Sequence, residues 1–248
     1  PLTITGLNST FCLTSADDNF AYNPTGGTCT VLTGLTENGD GSAIFSPSAS
    51  GTGTKTVRYS LSNIYTCTSV ITQNVTISAL PTVNYSGLNT TGYCVNGTTA
   101  TLTGNQTPGG TFTGPGITSS VNGVGTFNPT TLPVGGPYTI TYTYTDPGTG
   151  CSNSNSKTTN ILPIPSGNIS GTPTVCYGSS GNLDIDFTSG TGPFNFTYND
   201  GVSNTTITGV ADPYVLNVSP TVNTTHTLVS ITAANGCSNT GTGSGTVT

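Results

Sequence analysis

Three cysteines recur at a fixed interval of 82 residues: Cys12, Cys94 and Cys176. A second set, Cys67, Cys151 and Cys237, follows them by 55, 57 and 61 residues. A period of this length marks a chain of repeated units, each with its own small core, rather than one large domain. Every first cysteine closes a proline-led stretch: Pro1 to Cys12, Pro81 to Cys94 and Pro165 to Cys176. The segments Ser78-Ala79-Leu80-Pro81 and Leu162-Pro163-Ile164-Pro165 read as junctions, because proline stiffens a short linker. The expected modules are therefore residues 1–81, 82–163 and 164–248.

The first two modules share more than cysteines. Gly26-Gly27-Thr28-Cys29 aligns with Gly109-Gly110-Thr111-Phe112, Phe45-Ser46-Pro47 with Phe127-Asn128-Pro129, and Thr56-Val57-Arg58-Tyr59 with Thr139-Ile140-Thr141-Tyr142. The third module diverges, and offers Asn199-Asp200-Gly201 as a hairpin turn. Apolar residues alternate with period two in Tyr138–Tyr144 and Leu183–Phe187, as in strands with one buried face. No stretch keeps helical spacing for three turns. Short strands separated by Gly, Pro and Asn turns, in units of about 80 residues, predict an all-β protein of three tandem Ig-like β-sandwich modules.

A module of that size has a modest core. A disulfide closing a loop of this length contributes about 4 kcal/mol in the chain-entropy model. The repeat selects one of the fifteen pairings open to six cysteines: Cys12–Cys67, Cys94–Cys151 and Cys176–Cys237, one bond per module. Zinc is disfavoured, since there is no CxxC and His226 is the sole histidine. Disulfides imply an oxidising, extracellular compartment. Cys29 is left over, either as a buried thiol in the place of Phe112, or as the partner in an intermolecular bond or a second pairing within the first module.

Charged residues make up 5% of the chain and the net charge is −6, with Lys55, Arg58 and Lys157 the only basic side chains besides His226. Three scattered cations do not make a nucleic-acid interface, and no apolar run nears the ~18 residues of a membrane span. With no Met anywhere, the chain reads as an internal piece of a larger protein. No catalytic constellation emerges. Glu37 is the only glutamate. Asp184 and Asp186 share one face of a strand whose other face is apolar, which reads as a solvated face. They, or Asp17, Asp18 and Asp40, are the candidates for Ca²⁺, yet no calcium-loop motif is present. His226 reads as an exposed strand-start residue, without a supported nucleophile. Lys55 or Lys157 could form an isopeptide staple, a role the disulfides already fill. No catalytic residue, cofactor or metal site is expected.

The second module carries Tyr93-Cys94-Val95-Asn96, Leu102-Thr103-Gly104-Asn105, Gly109 to Ile117, Gly125 to Pro129, Tyr138 to Tyr144 and Gly150-Cys151-Ser152-Asn153. This set resembles the Ig-like/PKD-like repeats of giant cell-surface proteins of Bacteroidetes, especially flavobacteria. The third module, with Val175-Cys176-Tyr177-Gly178 and Ala234-Asn235-Gly236-Cys237, is similar to the same repeats; the first is looser, with Cys29 where those repeats carry an apolar residue. The resemblance implies type IX secretion and display on the outer surface in stalks, gliding adhesins or filaments. The sorting domain of that family is not in this sequence, which again reads as a fragment.

The expected function is a structural segment of an extracellular adhesin or filament, attached to the outer membrane or forming the fibre body. The alternative is a carbohydrate-binding or accessory array of a secreted protein, with surface glycans as partners and Tyr59, Tyr93, Tyr177, Tyr198 and Tyr214 as platform candidates. The principal partners are neighbouring modules of the same or identical chains. The simpler assembly is end-to-end stacking within one polypeptide, and Pro1–Asn8 is the segment for strand exchange with a neighbour.

Overall fold

The computed structural model describes residues 1–30, 33–106 and 109–248. Buried apolar side chains gather into three separate cores, running from Leu7 to Ile77, Val83 to Ile161 and Ile169 to Val247. Each lies between ladders that are antiparallel except for one short parallel pair.

In the first module the strands are β1 (Thr3–Thr5), β2 (Thr10–Cys12), β3 (Asp18–Asn23), β4 (Thr28–Thr30), β5 (Leu35–Glu37), β6 (Ser42–Phe45), β7 (Gly53–Ser62) and β8 (Thr68–Ser78). They form two sheets, ordered β1-β3-β6-β5 and β2-β8-β7-β4. The second module has β9 (Tyr85–Ser86), β10 (Tyr93–Cys94), β11 (Ala100–Gly104), β12 (Thr111–Thr113), β13 (Ile117–Val121), β14 (Val124–Phe127), β15 (Gly135–Thr145) and β16 (Ser152–Leu162). Its sheets, β9-β11-β14-β13 and β10-β16-β15-β12, repeat the first module strand for strand. The aligned Phe-Ser-Pro and Phe-Asn-Pro motifs end β6 and β14, and each proline opens a short helical turn, Pro47–Ser50 or Pro129–Thr131.

The third module has β17 (Ser166–Ser170), β18 (Gly181–Ser189), β19 (Phe194–Asn199), β20 (Asn204–Val210), β21 (Tyr214–Val218), β22 (Thr224–Thr232), β23 (Ser238–Thr240) and β24 (Thr242–Val247). Here a single first strand does the work of two. β17 is antiparallel to β18 and parallel to β24, so the ladders join into one path. Its fourth strand also changes sides: β20 pairs with β19, whereas β5 and β13 pair with β6 and β14. This is the structural content of the weaker sequence match.

The double-glycine motif has a steric cause. Cys29 pairs with Tyr59 across β4 and β7, and Phe112 with Tyr142 across β12 and β15. Both tyrosines are fully buried. Their hydroxyls donate to the Pro24 and Gln106 carbonyls, 82 residues apart. A Cβ on Gly27 would sit 2.5 Å from the Tyr59 hydroxyl, and one on Gly110 would sit 2.0 Å from that of Tyr142. Only glycine lets the chain close over the ring.

Register also explains Cys29. Tyr22 and Gly104 occupy equivalent places, opposite Ile4 and Tyr85. Tyr59 is covered by Tyr22, with centroids 4.5 Å apart and planes at 31°. Tyr142 is covered by Phe112, at 4.7 Å and 31°. The ring stacked closest on each of these tyrosines comes from β3 in the first module and from β12 in the second, where Tyr85 also meets Tyr142 edge-on at 6.4 Å. Where β3 supplies it, β4 has room only for a thiol. Cys29→Phe alone is therefore expected to overpack the first core by about 1–3 kcal/mol. In a Tyr22→Gly background the same substitution is expected to be neutral or stabilising. A double-mutant cycle by urea denaturation checks this, and equal costs in both backgrounds would break the exchange argument.

The sole glutamate belongs to the same arrangement. Glu37 accepts the backbone N–H of Cys29 and, at 3.4 Å, the Tyr22 hydroxyl. Ser120, at the corresponding place on β13, accepts the N–H of Phe112 at 2.6 Å. Each side chain closes one sheet against the other. Burial, with Glu37 adding to it, pushes the Cys29 thiol up to about 11, so it stays a thiol in the core.

Candidate functional site

The strand ladders carry the two cysteines of a module to opposite ends. β2 runs parallel to β8 with Cys12 opposite Ser78, at the tail end where the chain leaves the module. Cys67 lies eleven residues earlier, in the hairpin before β8. Eleven residues of strand span about 36 Å at ~3.3 Å each. A disulfide needs Cα atoms within about 7 Å. The second module repeats this, with Cys94 opposite Leu162 and Cys151 eleven residues before it.

The pairing expected within each module is therefore overturned. The observed bonds are Cys12–Cys151 and Cys94–Cys237, with Cα–Cα distances of 5.5 and 5.6 Å. Each first cysteine, at the tail of one module, meets the second cysteine at the head of the next. Cys67 and Cys176, expected in disulfides, are exposed free thiols, and Cys29 is a buried one. One bond per module gives way to one disulfide per junction.

Local geometry presents the cysteines alike in all three modules. Cys12, Cys94 and Cys176 each open a turn, their carbonyls accepting from Ser15, Gly97 and Ser179 at 2.7–2.9 Å. Cys67, Cys151 and Cys237 each close a hairpin, their carbonyls accepting from Asn63, Asp146 and Ala233 at 2.9–3.0 Å. The residue before each is left-handed: Thr66 at φ 65°, Gly150 at 72° and Gly236 at 81°. In the first hairpin Thr66 adopts this conformation without glycine's freedom.

Asparagine latches reinforce the junctions. Two residues after the cysteine, Asn153 donates to the Pro81 carbonyl at 2.9 Å and Asn239 to that of Pro165 at 3.1 Å. Asn235 donates to the Pro163 carbonyl at 3.0 Å. Asn96 of the second module donates across the junction to the Ser238 carbonyl at 3.4 Å. The hairpin of one module thus grips the proline linker that joins it to the previous one.

His226 is a second correction. It is 3% exposed on β22, on the same face as Leu228, and period-two alternation carries it inward despite its polarity. Its Nδ1 has no hydrogen-bond partner among the described residues. It borders a hollow of about 460 Å³ with Tyr198, Asp200, Asn217, Pro220 and Val222. Burial lowers the imidazole's pKa, with Asp200 partly opposing it. A histidine held neutral in the fold, but free to charge when unfolded, contributes stability that is complete above the ordinary value near 6.5. That stability is lost as pH falls below it towards the folded-state value. The third module is expected to weaken over this window. The slope should vanish in His226→Leu, as read by urea midpoints at pH 7.5 and 5.5, with Asp200 titrating at lower pH.

The remaining candidates lie apart from one another, on separate strands and turns. Asp184 and Asp186 are exposed while Leu183, Ile185 and Phe187 are buried. Asp18 accepts from the backbone and side chain of Asn8 at 2.9 and 3.1 Å, and Asp40 caps the turn to Ser42. Among the described residues no three His, Cys, Asp or Glu side chains gather to hold a metal. The Lys157 ammonium donates to the Tyr85 carbonyl and lies 4.6 Å from the centre of its ring. Of the tyrosines weighed for sugar stacking, Tyr59 is buried and Tyr177 is the most exposed, at 87%. Thr3–Thr5, within the segment considered for strand exchange, pairs with Ala21–Asn23 of its own module.

No protein-family model matches the chain, and no curated protein matches it. Among solved structures it is similar to the I-band fragment I67–I69 of titin, with 11% identity over 100% of this chain and 97% of that one and a TM-score of 0.38. It is also similar to a 1.5-MDa bacterial ice-binding adhesin, with 12% identity, coverage of 100% and 97%, and a TM-score of 0.37. A Ca²⁺-stabilised adhesin of an Antarctic bacterium gives 14% identity, coverage of 100% and 74%, and a TM-score of 0.37. The architecture described above rests on the ladders and cores themselves.

Proposed function

We propose that this chain is a structural segment of an extracellular surface adhesin or filament, composed of modules 1–81, 82–163 and 164–248 and acting as stalk or fibre body. One observation carries the reading: each junction is closed twice, by a proline linker and by a disulfide between neighbouring modules. A structure that only displayed independent binding units would gain nothing from bonds that stop its modules separating. Disulfides persist in oxidising surroundings, which supports the extracellular placement. Display by a flavobacterial cell through type IX secretion, in adhesion or gliding, is the finer form of the proposal and follows the sequence resemblance. Labelling live cells with an antibody against this segment tests it. Surface threads or mobile patches are expected, and signal confined to a small soluble protein in the medium would sink it.

A second reading has the hollow beside His226 in its favour. Tyr198 offers an aromatic face there, and Asp200 and Asn217 offer polar groups, a combination suited to a glycan. Glycan-array binding that is lost in Asp200→Ala would support it; an array without signal would remove it.

A further inference from the structure

Four asparagines are followed directly by glycine: Asn38, Asn96, Asn122 and Asn235. Such a pair carries its own reaction. The glycine's backbone nitrogen can attack the side-chain amide carbon of the asparagine, and a residue without Cβ leaves that approach open. All four asparagines are exposed, so access to water does not distinguish them. Hydrogen bonding does. We propose that Asn38-Gly39, at the tip of the β5–β6 hairpin, is a self-modifying site, and that the fold holds the other three pairs inert.

Three of the glycine nitrogens are already committed as donors. Gly97 donates to the Cys94 carbonyl at 2.7 Å, Gly123 to that of Gly110 at 2.8 Å and Gly236 to that of Ala233 at 3.0 Å. Two of the asparagine side chains are tied down as well. Asn96 donates across the second junction to the Ser238 carbonyl at 3.4 Å. Asn235 donates to the Pro163 carbonyl at 3.0 Å, and its own oxygen accepts the Cys237 N–H at 2.9 Å. Both stand beside the cysteines of the Cys94–Cys237 disulfide, which keeps these partners in place. Asn38 differs on each count. The Gly39 nitrogen has no acceptor among the described residues. Gly39 lies in the left-handed region at φ 80°, and a Cβ there would meet nothing within 4 Å. The Asn38 amide donates at 2.8 Å to the Ser42 hydroxyl, a rotor that can follow it.

The reaction needs water alone. The Gly39 nitrogen bonds the Asn38 Cγ, its proton departs with the amide nitrogen as ammonia, and a cyclic imide forms. Water then opens either C–N bond of the ring. One opening leaves aspartate at position 38, with a new negative charge between Glu37 and Asp40. The other leaves isoaspartate, whose backbone runs through the former side chain and is one atom longer. That atom enters the turn that the Asn38 N–H closes by donating to the Ser42 carbonyl at 3.0 Å. Glu37, the preceding residue, accepts the Cys29 N–H and the Tyr22 hydroxyl and clasps one sheet to the other. The modification therefore reaches from an exposed tip to the first core.

The test holds the oxidised chain in warm, mildly alkaline buffer. Ion-exchange chromatography counts the added charge and peptide mapping assigns it. Deamidation at Asn38 is expected to run about tenfold or more ahead of that at Asn96, Asn122 and Asn235. In urea with reductant all four pairs are freed, and the lead should collapse. Equal rates in the folded chain, or a lead that persists in urea, would overturn the proposal. Asn38→Gln is expected to remove the earliest acidic species and leave the other three sites as slow as before. In the isoaspartate fraction, hydrogen exchange should show protection lost in the first module and kept in the third. Unchanged protection in the first module would overturn the link to its core.

Discussion

Held between Cys67 and Thr248, a single oxidised molecule is expected to lengthen by only a few tens of ångströms before a covalent bond breaks. The staples create a path that avoids the body of every module. From Cys67 it follows β8 to the first junction, then the leading stretch of the second module to Cys94, a distance of 27 residues. It crosses the disulfide to Cys237 and follows the last 11 residues to Thr248. Twenty-four of the residues on this path lie in strands. Its 38 residue steps reach at most about 140 Å, and the folded strands already cover most of that length. After reduction the shortest path is the full 181 residues between the two points, about 650 Å of contour. Optical-tweezer traces in a Cys176→Ser background, with one handle on Cys67, should show no module-sized unfolding steps until reductant is added. Steps of the same size with and without reductant would refute the by-pass. A matching path runs from Pro1 through Cys12 and Cys151 to Cys176. The unpaired thiols are thus where one path ends and the other begins.

How far the sequence led can be judged from single residues. Period-two alternation in Tyr138–Tyr144 placed Ile140 and Tyr142 inside, and that is where they are. The double glycines were visible as a repeat, but their cause, a tyrosine ring under the turn, needs the register that pairs Phe112 with Tyr142. Polarity points His226 outward, yet the alternation it shares with Leu228 carries it inward. The cysteine pairing failed for a related reason. Repetition tells which residues are equivalent, yet says nothing about which copy of an equivalent residue is the neighbour. A signal was present. Each second cysteine stands eleven to fourteen residues before the end of its module, in strand-like sequence, and each first cysteine follows its leading proline by eleven to thirteen. If the first and last stretches run side by side, as β2 and β8 do, one cysteine must stand at each end of the sandwich. Strand direction was the missing information, and neither composition nor spacing encodes it.

That geometry makes a further expectation, in which each cysteine variant harms two modules and spares the third. With its neighbours folded, an unfolded second module is a chain tethered at Pro81 and Cys151 on one side and at Cys94 and Pro165 on the other. Each tether closes a loop of roughly 70 residues and contributes about 4 kcal/mol in the chain-entropy model. The first and third modules have one such loop each, through Cys12 and Cys237. Cys12→Ser is expected to lower the opening free energy of the first and second modules by about 4 kcal/mol each and leave the third unchanged. Cys94→Ser should lower the second and third and leave the first. Both together should cost the second module most, though less than twice the single loss, because its two loops share residues 94–151. Hydrogen exchange followed by mass spectrometry in moderate urea resolves the modules separately. Bonds within modules would confine the effect of Cys12→Ser to the first module and that of Cys94→Ser to the second, so protection of the second module in Cys12→Ser alone decides which cysteines are joined.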